Sequence, residues 1–271
     1  MLIAGAELLV HCAVRMAANL KVRPLLIGLT VVAFGSSAPQ MTVSLQAAFN
    51  DTPDIAVGSV IGSNIFNVLV TLGLSALIIP LRVSRQLVRL DIPLMIIASA
   101  LVFGLALSKQ LDRLDGAILL IGLVIYLGLL LRQSRHSGHH HVSHDRPPTS
   151  WPVNVLMMLM ALILLGAAGH LLLDAAVGVA TELGLSERII GLTIIAVSTS
   201  LPELATSLIA AFRGQREIAV GNVIGSNVLN LLGVLGLTAL ISPEPLSVSP
   251  NALAFDLPVM LGVAVLCLPV F

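Results

Sequence analysis

Residues 28–78 and 191–241 are one segment written twice: GLTVVAFGSSAPQ…IAVGSVIGSNIFN and GLTIIAVSTSLPE…IAVGNVIGSNVLN align without a gap at a shift of 163 and agree at 28 of 51 positions. Any fold for this chain must therefore seat the same pair of elements in two settings. Each copy is mostly apolar yet carries a run of small polar residues. In so apolar a chain, that pattern points to a transport site where the repeats meet.

The rest of the chain is equally greasy. Hydrophobic residues make up 57% of the 271 and charged residues 10%, with a mean hydropathy of +1.02. That leaves too little polar surface for a water-soluble globule and implies an integral protein of the lipid bilayer. Zero net charge and 3% aromatics exclude nucleic acid as a partner, because neither a basic face nor a stacking platform is present. Cys12 and Cys267 fall inside apolar runs and read as small core residues. The chain opens apolar, with Glu7 inside the run and no basic leader, unlike a cleavable signal peptide.

Apolar runs of spanning length lie near 2–19, 24–49, 55–80, 90–108, 114–132, 152–180, 189–212, 217–242 and 252–271. Each is close to the ~20 residues that cross ~30 Å of hydrocarbon as a helix, and about twice the length of a barrel strand. The expected fold is all-α: a polytopic membrane protein with an inverted-topology repeat of about five transmembrane helices each, nine present and the tenth missing. Five crossings separate the second run from the seventh, an odd number that turns the two copies upside down relative to each other. Residues 1–132 would form repeat 1 with its first helix shortened, 133–150 a His-rich linker, and 151–271 repeat 2 with its last helix absent. Asp91 and Asp256, each two positions before a proline, read as helix N-caps.

Lys21, Arg23, Arg82, Arg85, Arg89, Arg132, Arg135, Arg146, Arg213 and Arg216 fall on one side of this topology, and Lys109, Arg113 and Arg188 on the other. The positive-inside rule makes the first side cytoplasmic, with Met1 outside and the 133–150 linker in the cytoplasm.

The chemistry concentrates in Gly35-Ser36-Ser37-Ala38-Pro39-Gln40 and Ser198-Thr199-Ser200-Leu201-Pro202-Glu203. Pro39 and Pro202 cannot donate a backbone hydrogen bond, so each should kink its helix and free the carbonyl of Gly35 or Ser198. Freed carbonyls and hydroxyls suit a dehydrated hard cation. The bland alternative, a proline kink with hydroxyls bonded back to the helix, explains one copy better than two. Glu203 is the most telling residue, since a carboxylate near the bilayer centre costs at least ~2.5–3.5 kcal/mol and needs a partner or a task. In VIGSN(I/V)(F/L)N, Ser63 and Asn67, like Ser226 and Asn230, are four apart and share a helix face. Asn64 and Asn227 complete the motif, while Gly58, Gly62, Gly221 and Gly225 suit close helix contacts.

These motifs resemble the sodium/calcium exchanger family of cation antiporters, in its bacterial and archaeal ten-helix form, and the likeness covers nearly the whole chain. The resemblance implies secondary antiport of Na⁺ against Ca²⁺ by alternating access, in a bacterial inner membrane, without a cofactor and without enzymatic chemistry. It implies an ion site in which Ser36, Ser37, Gln40, Ser63 and Asn67 meet Thr199, Ser200, Glu203, Ser226 and Asn230, with backbone carbonyls of Ala33 and Ala196 as further sodium ligands. The first and sixth spans would be sliding gates. The family usually carries Glu where this chain has Gln40, and some relatives an acid at Asn230. An H⁺- or monovalent-coupled exchanger (K⁺ included) with weak Ca²⁺ affinity, or a non-transporting paralogue, therefore stays open beside Na⁺/Ca²⁺ exchange, as does the oligomeric state.

Two outlying features remain. Glu7 aligns with His170 and His11 with Asp174, so each gate helix has an acid and a histidine four apart, read as helix-to-helix pairing. His136, His139, His140, His141 and His144 enrich the linker and read as a solvated tether rather than a transition-metal site.

Overall fold

A computed structural model describes residues 1–20, 22–50, 52–80, 84–136, 151–182 and 194–270. They form ten helical pieces: α1 (Leu2–Leu20), α2 (Pro24–Ser36), α3 (Ala38–Phe49), α4 (Pro53–Ile78), α5 (Leu87–Ala106), α6 (Arg113–His136), α7 (Trp151–Glu182), α8 (Ala196–Phe212), α9 (Arg216–Ile241) and α10 (Ala252–Leu268). Six reach spanning length and composition, seven if α2 and α3 count as one bent span, while α8 and α10 are shorter apolar helices. Every run read as a helix is helical in its described part. The outlying structure is a two-residue antiparallel pairing of β1 (Gln110–Leu111) with β2 (Leu246–Ser247).

Local sequence sets the helix starts. Pro24 and Pro53 open α2 and α4 in the first turn, where a missing N–H costs nothing. At α6 a capping box forms: Asp112 Oδ1 accepts the amides of Leu114 (2.8 Å) and Asp115 (2.9 Å), and Asp115 Oδ2 accepts the amide of Asp112 (3.0 Å). Gly214, at φ 71°, supplies the left-handed residue that turns the chain from α8 to α9.

The two N-caps expected at Asp91 and Asp256 are not there. Both residues lie inside continuous helix, each ending a π-helical turn (Leu87–Asp91, Ala252–Asp256), and Asp91 makes no capping bond. The helix simply starts a turn earlier than its proline suggests. Wide turns recur at matched places in both copies, at Asn67–Leu72 and Leu229–Val234 as well.

Packing ranks the helices. In α9, 83% of the spanning window is buried, against 22% in α6, so α9 is the central post and α6 a lipid-facing strut. Leu77, Leu114 and Val124 are exposed apolar side chains. One apolar core joins α2, α4, α5, α6, α9 and α10, and a second joins α1, α7, the end of α8 and the start of α9. Cys12 and Cys267 are buried in these cores as free thiols.

Contacts also sort the connections into two ends. Arg23 before α2 pairs with Glu217 of α9 at 2.6 Å, whereas Asp54 of α4 accepts a hydrogen bond from Ser247 beside the β1–β2 pairing. Glu7 of α1 pairs with Arg213 at the end of α8, so helix-to-helix pairing holds for α1. His170 instead bonds Asp174 within α7, at 3.0 Å and well exposed. The His-rich stretch 137–150 lies outside the described residues.

Among the described residues, the tightest approach of backbone to backbone is that of α9 against α2. A Cβ on Gly225 would stand 2.5 Å from the carbonyl oxygen and 2.7 Å from the Cα of Leu29, and one on Gly221 2.9 Å from the carbonyl oxygen of Leu25. Gly225→Ala should therefore destabilise the protein by about 1–3 kcal/mol through overpacking. Gly262→Ala, with nothing within 4 Å, should stay within about 0.5 kcal/mol. Thermal unfolding in detergent micelles measures both.

Candidate functional site

The duplicated polar runs meet in the middle of the bundle. At Ser37 (φ −81°, ψ −1°) the second span breaks, and α2 and α3 diverge by 43°. The second copy does not repeat this break: α8 runs from Ala196 to Phe212 with Pro202 inside it. Gly169 of α7 lies opposite the Pro202 ring. The helix thus breaks beside Pro39 in the first copy and stays continuous through Pro202 in the second.

Hydroxyls knit the copies together. Ser37 Oγ donates to Glu203 Oε1 at 3.0 Å, and Ser36 Oγ reaches Asn222 Oδ1 (3.1 Å) and Ser226 Oγ (3.5 Å). Ser63 Oγ stands 2.9 Å from Gln40 Oε1, 3.2 Å from the Ala196 carbonyl oxygen and 3.3 Å from Thr199 Oγ1. One hydroxyl proton serves one of these at a time, so the others remain available acceptors. Thr199 Oγ1 also reaches the Ala196 carbonyl oxygen (3.1 Å), and Ser36 Oγ that of Ala33 (3.3 Å). Ser200 is buried beside them.

The asparagines form a reciprocal clasp. Asn64 Nδ2 donates to the backbone oxygen of Asn227 (3.2 Å) and Asn227 Nδ2 to that of Asn64 (3.3 Å). Asn67 Nδ2 then donates to Asn227 Oδ1 (3.1 Å), and Asn230 Nδ2 to Asn64 Oδ1 (3.2 Å). Each bond has its counterpart 163 residues on, so a local two-fold axis runs between α4 and α9.

Gln40 and Glu203 occupy matched places with different bonding. Gln40 is saturated: its amide donates to Ser59 (3.0 Å) and Ser44 (3.3 Å) while its carbonyl accepts Ser63. Glu203 spends one oxygen on Ser37 and leaves Oε2 buried with no partner among the described residues. Asn67 Oδ1 and Asn230 Oδ1 are unpartnered in the same way. Among the described residues no group of three His, Cys, Asp or Glu gathers, so this is a neutral oxygen cluster around one carboxylate.

The family model for sodium/calcium exchanger proteins matches residues 1–132 and 153–271. The chain belongs to the sodium/calcium exchanger family. It is 38% identical to the inner membrane protein YrbG of Escherichia coli (strain K12), over 98% of this chain and 86% of that protein. It is 32% identical to the sodium/calcium exchanger MaX1 of Methanosarcina acetivorans, over 98% of this chain and 87% of that one. The solved structure of the sodium-calcium exchanger NCX_Mj soaked with 2.5 mM Na⁺ and 0.1 mM Ca²⁺ superposes with a TM-score of 0.82 at 31% identity, covering 98% of this chain and 85% of that one. The exchanger is thus an integral membrane antiporter of the cation/calcium class, a transporter whose ions are substrates and which needs no cofactor.

Four residues of the exchanger's cluster escape a reading of the motifs alone: Ser44 and Ser59, which orient Gln40, and Asn222 and Ser207. Asn222 Nδ2 donates to Ser207 Oγ (2.9 Å) and the Glu203 carbonyl oxygen (3.3 Å). A signal was present, because Ser44 and Ser207 recur at the repeat shift, one turn beyond Gln40 and Glu203. Asn227→Ala should leave the Asn64 carbonyl and the Asn67 amide without their partner, costing about 1–3 kcal/mol for each buried group. A lowered midpoint of thermal unfolding would register that loss.

Proposed function

We propose that the exchanger carries Na⁺ in one direction and Ca²⁺ in the other by alternating access, with both ions taken up in turn between the repeats. In this reading Glu203 supplies the charge. Gln40, Ser36, Ser37, Ser63, Asn67, Thr199, Ser200, Ser226 and Asn230 supply neutral oxygens, and the carbonyls of Ala33 and Ala196 complete the shell. The observation that carries the reading is the set of three buried acceptors, Glu203 Oε2, Asn67 Oδ1 and Asn230 Oδ1, that lack donors among the described residues. Buried oxygens without donors cost free energy, and a dehydrated hard cation is the partner they fit.

The remaining assignments follow the same reading. Residues 1–132 and 151–271 act as the two repeats, joined by 133–150 on the cytoplasmic side of an inner membrane with Met1 outside. The excess of Lys and Arg on one set of connections supports that orientation. α1 and α7 serve as the gates.

One observation favours a second reading of the coupling. Gln40 is held by Ser44 and Ser59 with its amide turned away and only its carbonyl oxygen toward Ser63. The pocket then offers one negative charge to a divalent ion. A second carboxylate at ~4 Å would add up to ~8 kcal/mol at an effective dielectric near 20, so its absence weakens Ca²⁺ far more than Na⁺. A monovalent- or proton-coupled cycle with low Ca²⁺ affinity fits that charge.

Radiolabelled Ca²⁺ uptake into proteoliposomes under Na⁺, K⁺ or H⁺ gradients separates the two readings. Glu203→Gln should abolish gradient-driven uptake, and Gln40→Glu should tighten Ca²⁺ binding at least about tenfold, or ~1.4 kcal/mol. Uptake that survives Glu203→Gln unchanged would refute the site.

A further inference from the structure

Asp91 is a carboxylate without a structural task. It lies within α5, fully buried, and neither carboxyl oxygen has a hydrogen-bond partner among the described residues. None of the residues assigned to the ion cluster is bonded to it. On α6 the Tyr126 hydroxyl is also buried and without a partner among the described residues, and the Asp91 carboxyl is the acid that acts on it. Leu87, Ile92 and Met95 of α5 and Leu130 of α6 belong to the same apolar core. The charged group that acts on Asp91 is Arg23, ahead of α2, and the polar one is Gln86. Arg23 is already spent, its guanidinium 2.6 Å from Glu217 Oε1. Glu217 Oε2 in turn accepts the amide of Leu25 at 3.3 Å, so this clasp ties the start of α2 to the start of α9.

A bare carboxylate in such surroundings is among the costliest groups a protein can bury, whereas the neutral acid is tolerated. A retained charge would call for the guanidinium that Glu217 now holds. We propose that Asp91 is a proton-binding site, separate from the Glu203 cluster, and that loss of its proton draws Arg23 from Glu217 toward Asp91. The carboxyl O–H bond breaks, and the proton leaves to water at the end of the bundle where α2, α5 and α9 begin. Arg23, whose side chain is 24% exposed, marks the wet side of that path. The clasp between α2 and α9 then loosens as pH rises at that end, whichever ions the exchanger carries.

Infrared difference spectroscopy of the full chain in lipid vesicles, titrated with pH, reads the protonated carboxyl directly. Asp91→Asn should remove one component of the C=O band that Glu203→Gln leaves in place, and Tyr126→Phe should displace that component. A spectrum identical to wild type in Asp91→Asn overturns the proton site. If that variant does not fold, a band that Glu203→Gln removes entirely and Tyr126→Phe leaves unmoved overturns it equally. For the second step, spin labels at the starts of α2 and α9 should separate with rising pH in the wild type and not in Asp91→Asn. A constant distance in the wild type, or a change that persists in Asp91→Asn, contradicts the exchange of partners.

Discussion

At the centre of this bundle Glu203 Oε2, Asn67 Oδ1 and Asn230 Oδ1 are buried acceptors with no donor among the described residues, and that shortfall is the constraint on which the site depends. In hydrocarbon every polar group must find a partner inside the protein. The inverted repeats meet this requirement almost everywhere: the asparagine clasp closes on itself, Gln40 is saturated by three serines, and Asn222 bridges Ser36, Ser207 and the Glu203 backbone. Left without a partner among the described residues of the duplicated motifs are Glu203 Oε2, Asn67 Oδ1 and Asn230 Oδ1, where a cation can stand in for the missing donors; Asp91 and Tyr126 are left over elsewhere in the bundle.

Glycine makes this arrangement reachable. The backbone of α9 lies against that of α2 at Gly221 and Gly225, so Asn222 and Ser226, the residues next to these glycines, reach Ser36 across the repeat interface. A side chain at either glycine would push the two copies apart and pull the donors away from the cluster. Fold stability and site geometry are thus set by the same contact. The copies are nonetheless unequal, because one carries a broken helix and a neutral amide while the other carries an unbroken helix and an acid. That inequality leaves the cluster a single carboxylate.

Much of this was legible beforehand. The nine apolar runs became helices because length and composition leave a membrane chain few other choices. The duplicated motifs predicted which hydroxyls meet across the interface, since matched side chains in inverted copies converge on a shared axis. Less visible were features that depend on neighbours rather than on the local string. Pro202 sits in an unbroken helix whereas Pro39 follows a break, though the two strings match at the proline. Asp91 fails to cap because the preceding turn widens instead of ending, which a proline two residues later disguises. Ser59 and Ser44 hold the Gln40 amide, but a serine on an apolar helix carries no label saying which way its hydroxyl turns.

The central claim is that Glu203 and the two unpartnered asparagine carbonyls face one dehydrated cation. Anomalous diffraction from crystals soaked in Sr²⁺, a heavy stand-in for Ca²⁺, tests it most directly. The account predicts a peak within bonding distance of Glu203 Oε2 in the wild type, absent from Glu203→Gln. A strong peak elsewhere in the bundle, with none beside Glu203, would contradict it.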